Sequence, residues 1–139
     1  MDFLTSFEIC SSGLAAQRTK MDVITSNIAN IETTRTPEGG PYKRKKVILA
    51  SEQVSTFNTR LTDAVRKVKV EAITEESGVK MMYDPSHPDA DAKGFVAMPN
   101  VNLVMEMADM IATSRNFEAC VTAFDATKNM TLKTLEIGK

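Results

Sequence analysis

The sequence predicts an α+β protein in which long N- and C-terminal helices pair as an antiparallel coiled coil around a small β-rich insert. Residues 3–31 contain no proline and a single glycine, and residues 101–136 contain neither. Both stretches repeat apolar residues at alternating steps of four and three, the mark of helices that wind around a partner. The chain between them is interrupted by turn-rich segments and short runs of β type. The expected divisions are 1–34 for the first helix, 35–100 for the hinge and insert, and 101–139 for the last helix.

In the first helix the seam reads Phe3, Phe7, Cys10, Leu14, Met21, Ile24, Ile28 and Ile31, with only Gln17 interrupting it. In the last it reads Leu103, Met107, Met110, Ser114, Phe117, Val121 and Phe124, and Leu132 and Leu135 continue an apolar face less regularly. Asn102, or Asn100 after Pro99, can cap this helix, and Glu106 and Asp109 lie near its positive end. At 1.5 Å per residue the two helices are roughly 43 and 54 Å long, a good mutual match.

Thr36-Pro37-Glu38-Gly39-Gly40-Pro41 reads as a hinge. Strands are expected at Val47–Leu49, at Lys67–Glu71 with strict alternation, at Val79–Tyr83 and at Gly94–Met98. Glu75-Glu76-Ser77-Gly78 reads as a turn, and Asp84–Pro88 as a rigid loop.

Away from the seams, small residues recur every seven positions: Thr5, Ser12, Thr19 and Ser26 on the first helix, and Ala112, Ala119 and Ala126 on the last. An isolated hairpin carries charge there for solubility. With Ile9, Ala16, Val23, Val104, Ala108 and Ile111 widening the apolar surface, these faces are expected to meet helices of other subunits.

The chemistry a sequence can advertise is mostly missing. The net charge of −1 gives no global field toward nucleic acid or membrane, and no run approaches the ~20 apolar residues of a membrane span. Lys43-Arg44-Lys45-Lys46 has no aromatic interleaving beyond Tyr42, so a solvated edge strand or an acidic neighbouring subunit explains it better than nucleic acid. There is no phosphate-cradling glycine loop, and with one histidine there is no base–nucleophile pair, so neither catalysis nor a cofactor is expected. His87, between Asp84 and Asp91, could contribute to a metal site, but flanking Pro85 and Pro88 favour a structural or interface loop. Cys10 and Cys120 occupy apolar helical positions and read as small buried hydrophobes, with a disulfide between the helices as the lesser reading. Two function classes remain, a structural assembly subunit and a soluble helical adaptor or export chaperone of a secretion system.

Ser12-Gly13-Leu14-Ala15-Ala16-Gln17, Met21, Ser26-Asn27-Ile28-Ala29-Asn30 and Thr33 resemble the N-terminal signature of the bacterial flagellar rod and hook axial proteins. Thr36 to Arg44, with Gly39, Gly40, Pro41 and Tyr42, is similar to the segment that follows it in proximal rod members. Tyr83 to Ala90 with His87 and Pro88, Gly94-Phe95-Val96, Pro99-Asn100-Val101-Asn102, Glu106-Met107 and Ser114 to Ala119 match in order. Phe95 and Phe117 stand where the family has Tyr, and Cys120 where Asn is usual. The resemblance implies a structural subunit of the basal-body proximal rod that transmits torque, its helices lining a helical tube and its insert facing outward. It implies contacts with copies of itself, with other rod proteins and with membrane-ring and export-gate proteins at the rod base. It further implies a periplasmic rod reached from the cytoplasm through the flagellar export apparatus without signal cleavage, in keeping with the absence of a Sec-type leader.

Overall fold

The structure, a computed structural model, describes residues 3–53 and 65–137. The elements run α1 (Phe3–Ala29), β1 (Arg44–Gln53), β2 (Arg66–Glu76), β3 (Val79–Tyr83), β4 (Phe95–Pro99) and α2 (Leu103–Ile137). This is the α+β arrangement expected, two long terminal helices with a β insert between them.

The helices are stopped and started by asparagines. Asn30 Nδ2 donates to Ser26 O at 2.8 Å and its Oδ1 accepts from Thr33 Oγ1, which closes the last turn of α1. At the other end Asn102 Oδ1 accepts from the amides of Val104 and Met105, so Asn102 is the cap of α2. Asn100 instead lies against Gly78. Between α1 and β1 the chain reverses through Gly39 and Gly40, whose φ angles of 91° and 83° are open to glycine at little cost. Thr36 accepts from Gly39 N and donates to Gly40 O, and the reversal brings Tyr42 N to Thr33 O at 3.0 Å.

The insert is two antiparallel ribbons, β1 with β2 and β3 with β4. The first pair is longer than the apolar runs suggest, because pairing recruits charged residues on both strands. Glu75 and Glu76, expected in a turn, lie in β2 opposite Lys45 and Arg44, and only Ser77 and Gly78 separate β2 from β3. Ile48 faces Ala72 while Leu49 faces Val70, so Glu71 is the extra residue of a bulge. In the second ribbon Tyr83 pairs with Phe95, their rings edge to face at 5.3 Å.

The helices run antiparallel, with Phe7 edge-on to Phe124 at 5.0 Å near one end and Asn27 bonded to Glu106 near the other. α1 is the central layer, since β1 and β2 lie along it on a side not taken by α2. Lys45 sits beside Asn27 and Val68 beside Ser12. α2 packs on α1 alone among the major contacts. With Phe7 level with Phe124, the residues of α2 beyond about 128 pass the first turn of α1 and overhang by roughly 13 Å.

Candidate assembly surface

The seam between the helices is more polar than an apolar repeat can show. On α2 the half-buried or buried positions are Glu106, Asp109, Met110, Thr113, Ser114, Phe117, Cys120, Phe124, Thr127 and Thr131, and without Asp109 and Ser114 they are again spaced by four and three. Met110, Phe117 and Phe124 were expected there. Leu103, Met107 and Val121 are exposed at 43%, 51% and 38%; Glu106 takes the place of Met107 and Cys120 that of Val121, each one residue earlier, and Thr113 is buried one residue before the half-buried Ser114. Threonine serves as a seam residue because its hydroxyl turns back on the helix. Thr113 Oγ1 donates to Asp109 O and Thr127 Oγ1 to Ala123 O, which leaves methyl groups for the partner.

α1 shows the same displacement. Ile24 is buried, and Cys10 and Phe7 are half-buried, but Gly13 and Asn27 face α2 where Leu14 and Ile28 were expected to. Leu14, Met21 and Ile28 are half-buried, and the Phe3 side chain lies outside the described residues. A Cβ on Gly13 would stand 3.3 Å from Cys120 Sγ, so the helices approach closely at this level. Gln17 keeps its place in the repeat, with a buried Oε1 that has no hydrogen-bond partner.

One polar cluster ties three elements together. Glu106, 1% exposed, accepts from Arg44 through Nε at 2.7 Å and Nη2 at 2.6 Å, and from Asn27 Nδ2 at 3.1 Å. Asn27, equally buried, also donates to Lys45 O, while its Oδ1 accepts from Lys45 N and from Tyr42 OH. Tyr42 OH lies 3.1 Å from Ser26 Oγ, and Arg44 Nη1 reaches Glu76 at 3.0 Å. Burial lowers the Arg44 pKa, but hydrogen bonds to Glu106 and Glu76 and their charges outweigh it, and the net shift is upward. A buried carboxylate needs such partners, and a position in the first turns of α2 adds the favourable helix dipole.

The small-residue stripe of α1 is occupied within the chain. Ser12 Oγ accepts from Val68 N at 3.2 Å, Ser26 meets Tyr42, and Thr19 lines a groove with Lys45 and Ile73. These residues let the sheet backbone approach α1, so the expectation that they face another subunit's helix is corrected. Ala112, Ala119 and Ala126 on α2 are exposed. So are Leu103, Val104, Met107, Ile111, Met130, Leu135 and Ile137, an apolar surface of α2 left uncovered among the described residues.

The basic run is also partly spent internally: Arg44 holds Glu106 and Glu76, and Lys43 lies 3.9 Å from Glu75. The loop after β3 is closed by a local bond, His87 Nδ1 accepting from Asp89 N, and is tied to the segment after α1 by Thr34 Oγ1 donating to Asp89. Pro88 in that loop is exposed, and Pro41 flanks the Gly39–Gly40 reversal. Cys10 and Cys120 are free thiols. Among the described residues no three His, Cys, Asp or Glu side chains gather as metal ligands, and no helix is long and apolar enough to cross a membrane.

Sequence reasoning missed Glu106, Thr113, Cys120 and Thr127 as seam residues and Arg44 as the partner of Glu106. The available signal was periodic: these four α2 residues recur every seven positions, though three are polar.

Comparisons with known proteins point to one family. Residues 7–35 match the family model of the flagella basal body rod protein, and residues 92–137 match that of the flagellar basal body rod FlgEFG protein C-terminal region. The flagellar basal-body rod protein FlgC of Bacillus subtilis is 45% identical, over 96% of this chain and 97% of its own length. That of Borreliella burgdorferi is 40% identical over 99% and 98%, and that of Salmonella typhimurium 37% identical over the full length of both.

Proposed function

This chain belongs to the FlgC family of flagellar basal-body rod proteins, and from that premise we propose how its two terminal helices build the rod. It is a structural rod subunit of the flagellum that assembles with other flagellar rod components. The exposed outer side of α2 carries the finer reading: among the described residues α1 is sheathed by α2 and the sheet, whereas α2 is covered on one side only. Leu103, Val104, Met107 and Ile111, with Ala112, Ala119 and Ala126 beside them, pack against helices of neighbouring subunits. A surface meeting a different surface on the next copy gives a contact that propagates as a helix.

In this reading residues 1–34 and 101–139 form the assembling part and residues 35–100 the outward-facing insert that stiffens it. The rod lies in the periplasm, contacts ring and export-gate proteins at its base, transmits torque and performs no catalysis. Its subunits leave the cytoplasm through the flagellar export apparatus with the N-terminus uncleaved, which the N-terminal peptide mass of rods isolated from cells checks.

The test of the α2 surface is Ala112→Leu combined with Ala119→Leu. Both sites are exposed and leucine is nearly alanine's equal as a helix former, so the stability of the isolated chain should change by about 0.5 kcal/mol or less. Overpacking a fitted contact costs about 1–3 kcal/mol per site, and every copy carries it. Electron microscopy of basal bodies should show export retained and rods arrested before the distal segment. Complete rods with both substitutions present would remove the α2 outer face from the assembly surface.

A further inference from the structure

We propose that Cys10 and Cys120 are a redox pair that closes to an intrachain disulfide across the helix seam. Two contacts fix the register around them. Phe7 meets Phe124, and the Cα of Gly13 faces Cys120 closely enough that a Cβ would stand 3.3 Å from Sγ. Cys10 lies midway between Phe7 and Gly13 in sequence, three residues from each, and so stands opposite the turn of α2 that runs from 120 to 124.

The repeat places both thiols on the facing sides. Cys10 shares its heptad position with Ile24, which is buried and lines the same cleft as Glu106. Cys120 shares its position with Glu106, Thr113 and Thr127, the most buried residues of α2. Side-chain-free Gly13 lets the two backbones approach, which a disulfide requires, since its Cα atoms must come within about 4.4–6.8 Å. Both thiols are free and half-buried, within reach of a small oxidant.

Closure is ordinary exchange with a disulfide such as oxidised glutathione. One thiol loses its proton and attacks a glutathione sulfur, which breaks the S–S bond, leaves a mixed disulfide and releases one glutathione. The second thiol, deprotonated in turn, attacks the protein sulfur of that intermediate and releases the other glutathione. Two electrons pass from the chain to the oxidant, and the two protons end on the two glutathione thiols. The bond spans the whole insert, so it constrains a long loop of the unfolded chain. The inference stands on the helix register and does not depend on the rod reading.

The test oxidises isolated basal bodies, and separately the urea-unfolded chain, with oxidised glutathione, quenches with iodoacetamide and runs non-reducing gels. The expected product is a faster-migrating monomer in which peptide Met1–Arg18 is joined to Asn116–Lys128, absent from Cys10→Ser and Cys120→Ser. Closure should be at least roughly tenfold faster in the folded subunit than in urea, because the fold raises the effective concentration of one thiol at the other. Two alkylated thiols, disulfide-linked dimers alone, or equal rates in both states would each overturn the proposal.

Discussion

Asn27 of α1 holds Glu106 of α2 by a 3.1 Å hydrogen bond between two side chains that are each about 1% exposed. A buried polar pair across a helix interface specifies register, because any slip of α2 breaks the bond between them and carries Glu106 away from Arg44. Here the pair does more, since the other atoms of Asn27 grip both backbone groups of Lys45 and so fix where β1 begins.

Asn27→Asp should therefore be far worse than its size suggests. It sets a second carboxylate against Glu106 and removes the donor to Lys45 O, at a cost of about 3–5 kcal/mol. Glu106→Gln alone should cost about 2 kcal/mol, since Arg44 keeps Glu76. In the double variant the repulsion is gone, so urea denaturation should give a loss well below the sum. Additive losses would mean that the two side chains are not coupled.

Ile24 and Met107, both read as seam residues from the sequence, should now part company. Ile24 is 4% exposed, so Ile24→Asp should cost several kcal/mol in the isolated chain. Met107→Asp, at a half-exposed site, should change chain stability by about 0.5 kcal/mol or less while impairing rod formation. Thermal melts read by circular dichroism separate them, and similar losses at both sites would restore Met107 to the seam.

Gly13→Ala sets two effects against each other. Alanine in a helix interior is worth about 1 kcal/mol over glycine, but its Cβ forces Cys120 Sγ to give way by a few tenths of an ångström. The net change should be small. In a Cys120→Ala background the obstruction disappears and the full gain of about 1 kcal/mol should emerge. A gain equally large with Cys120 present would mean the helices are not in tight contact there.

Lys67 should titrate above the ordinary lysine value of 10.5, because its hydrogen bond to Glu8 and then the charge of Glu8 favour the ammonium. The folded pKa lies above the unfolded one, so the contribution is fully present below 10.5 and disappears as pH rises through the folded value. Glu8→Gln should bring the Lys67 titration, followed by NMR, back toward 10.5. No movement would show that Glu8 and Lys67 are not paired in solution.

The two helices, the strand positions and the hinge at Gly39–Gly40 were legible because each has a local cause: a periodic apolar run, an alternating pattern, a residue free to take positive φ. The phase of the seam was only half legible. Met110, Phe117 and Phe124 announce themselves, but Glu106, Thr113 and Thr127 are buried for reasons outside their own polarity. Glu106 is buried because Arg44, 62 residues earlier, neutralises it, and the threonines because their hydroxyls bond backward along the helix. The Ser12–Thr19–Ser26 stripe was visible as a close-approach surface, while what approaches it, a sheet from the same chain, is a matter of topology.

The overhang of α2 makes purification and polymerisation compete for the same atoms. Leu135 and Ile137, at 66% and 86% exposure, sit on turns past the described first turn of α1. Water must wet them in every unpolymerised copy, which limits how concentrated a stock can be before it precipitates. In the assembly we propose, covering them at a neighbour's surface releases that water and lowers the critical concentration for polymer growth. On that proposal, a variant engineered for solubility at this tip becomes a chain-terminating subunit, able to join a rod through its other faces and to stop it.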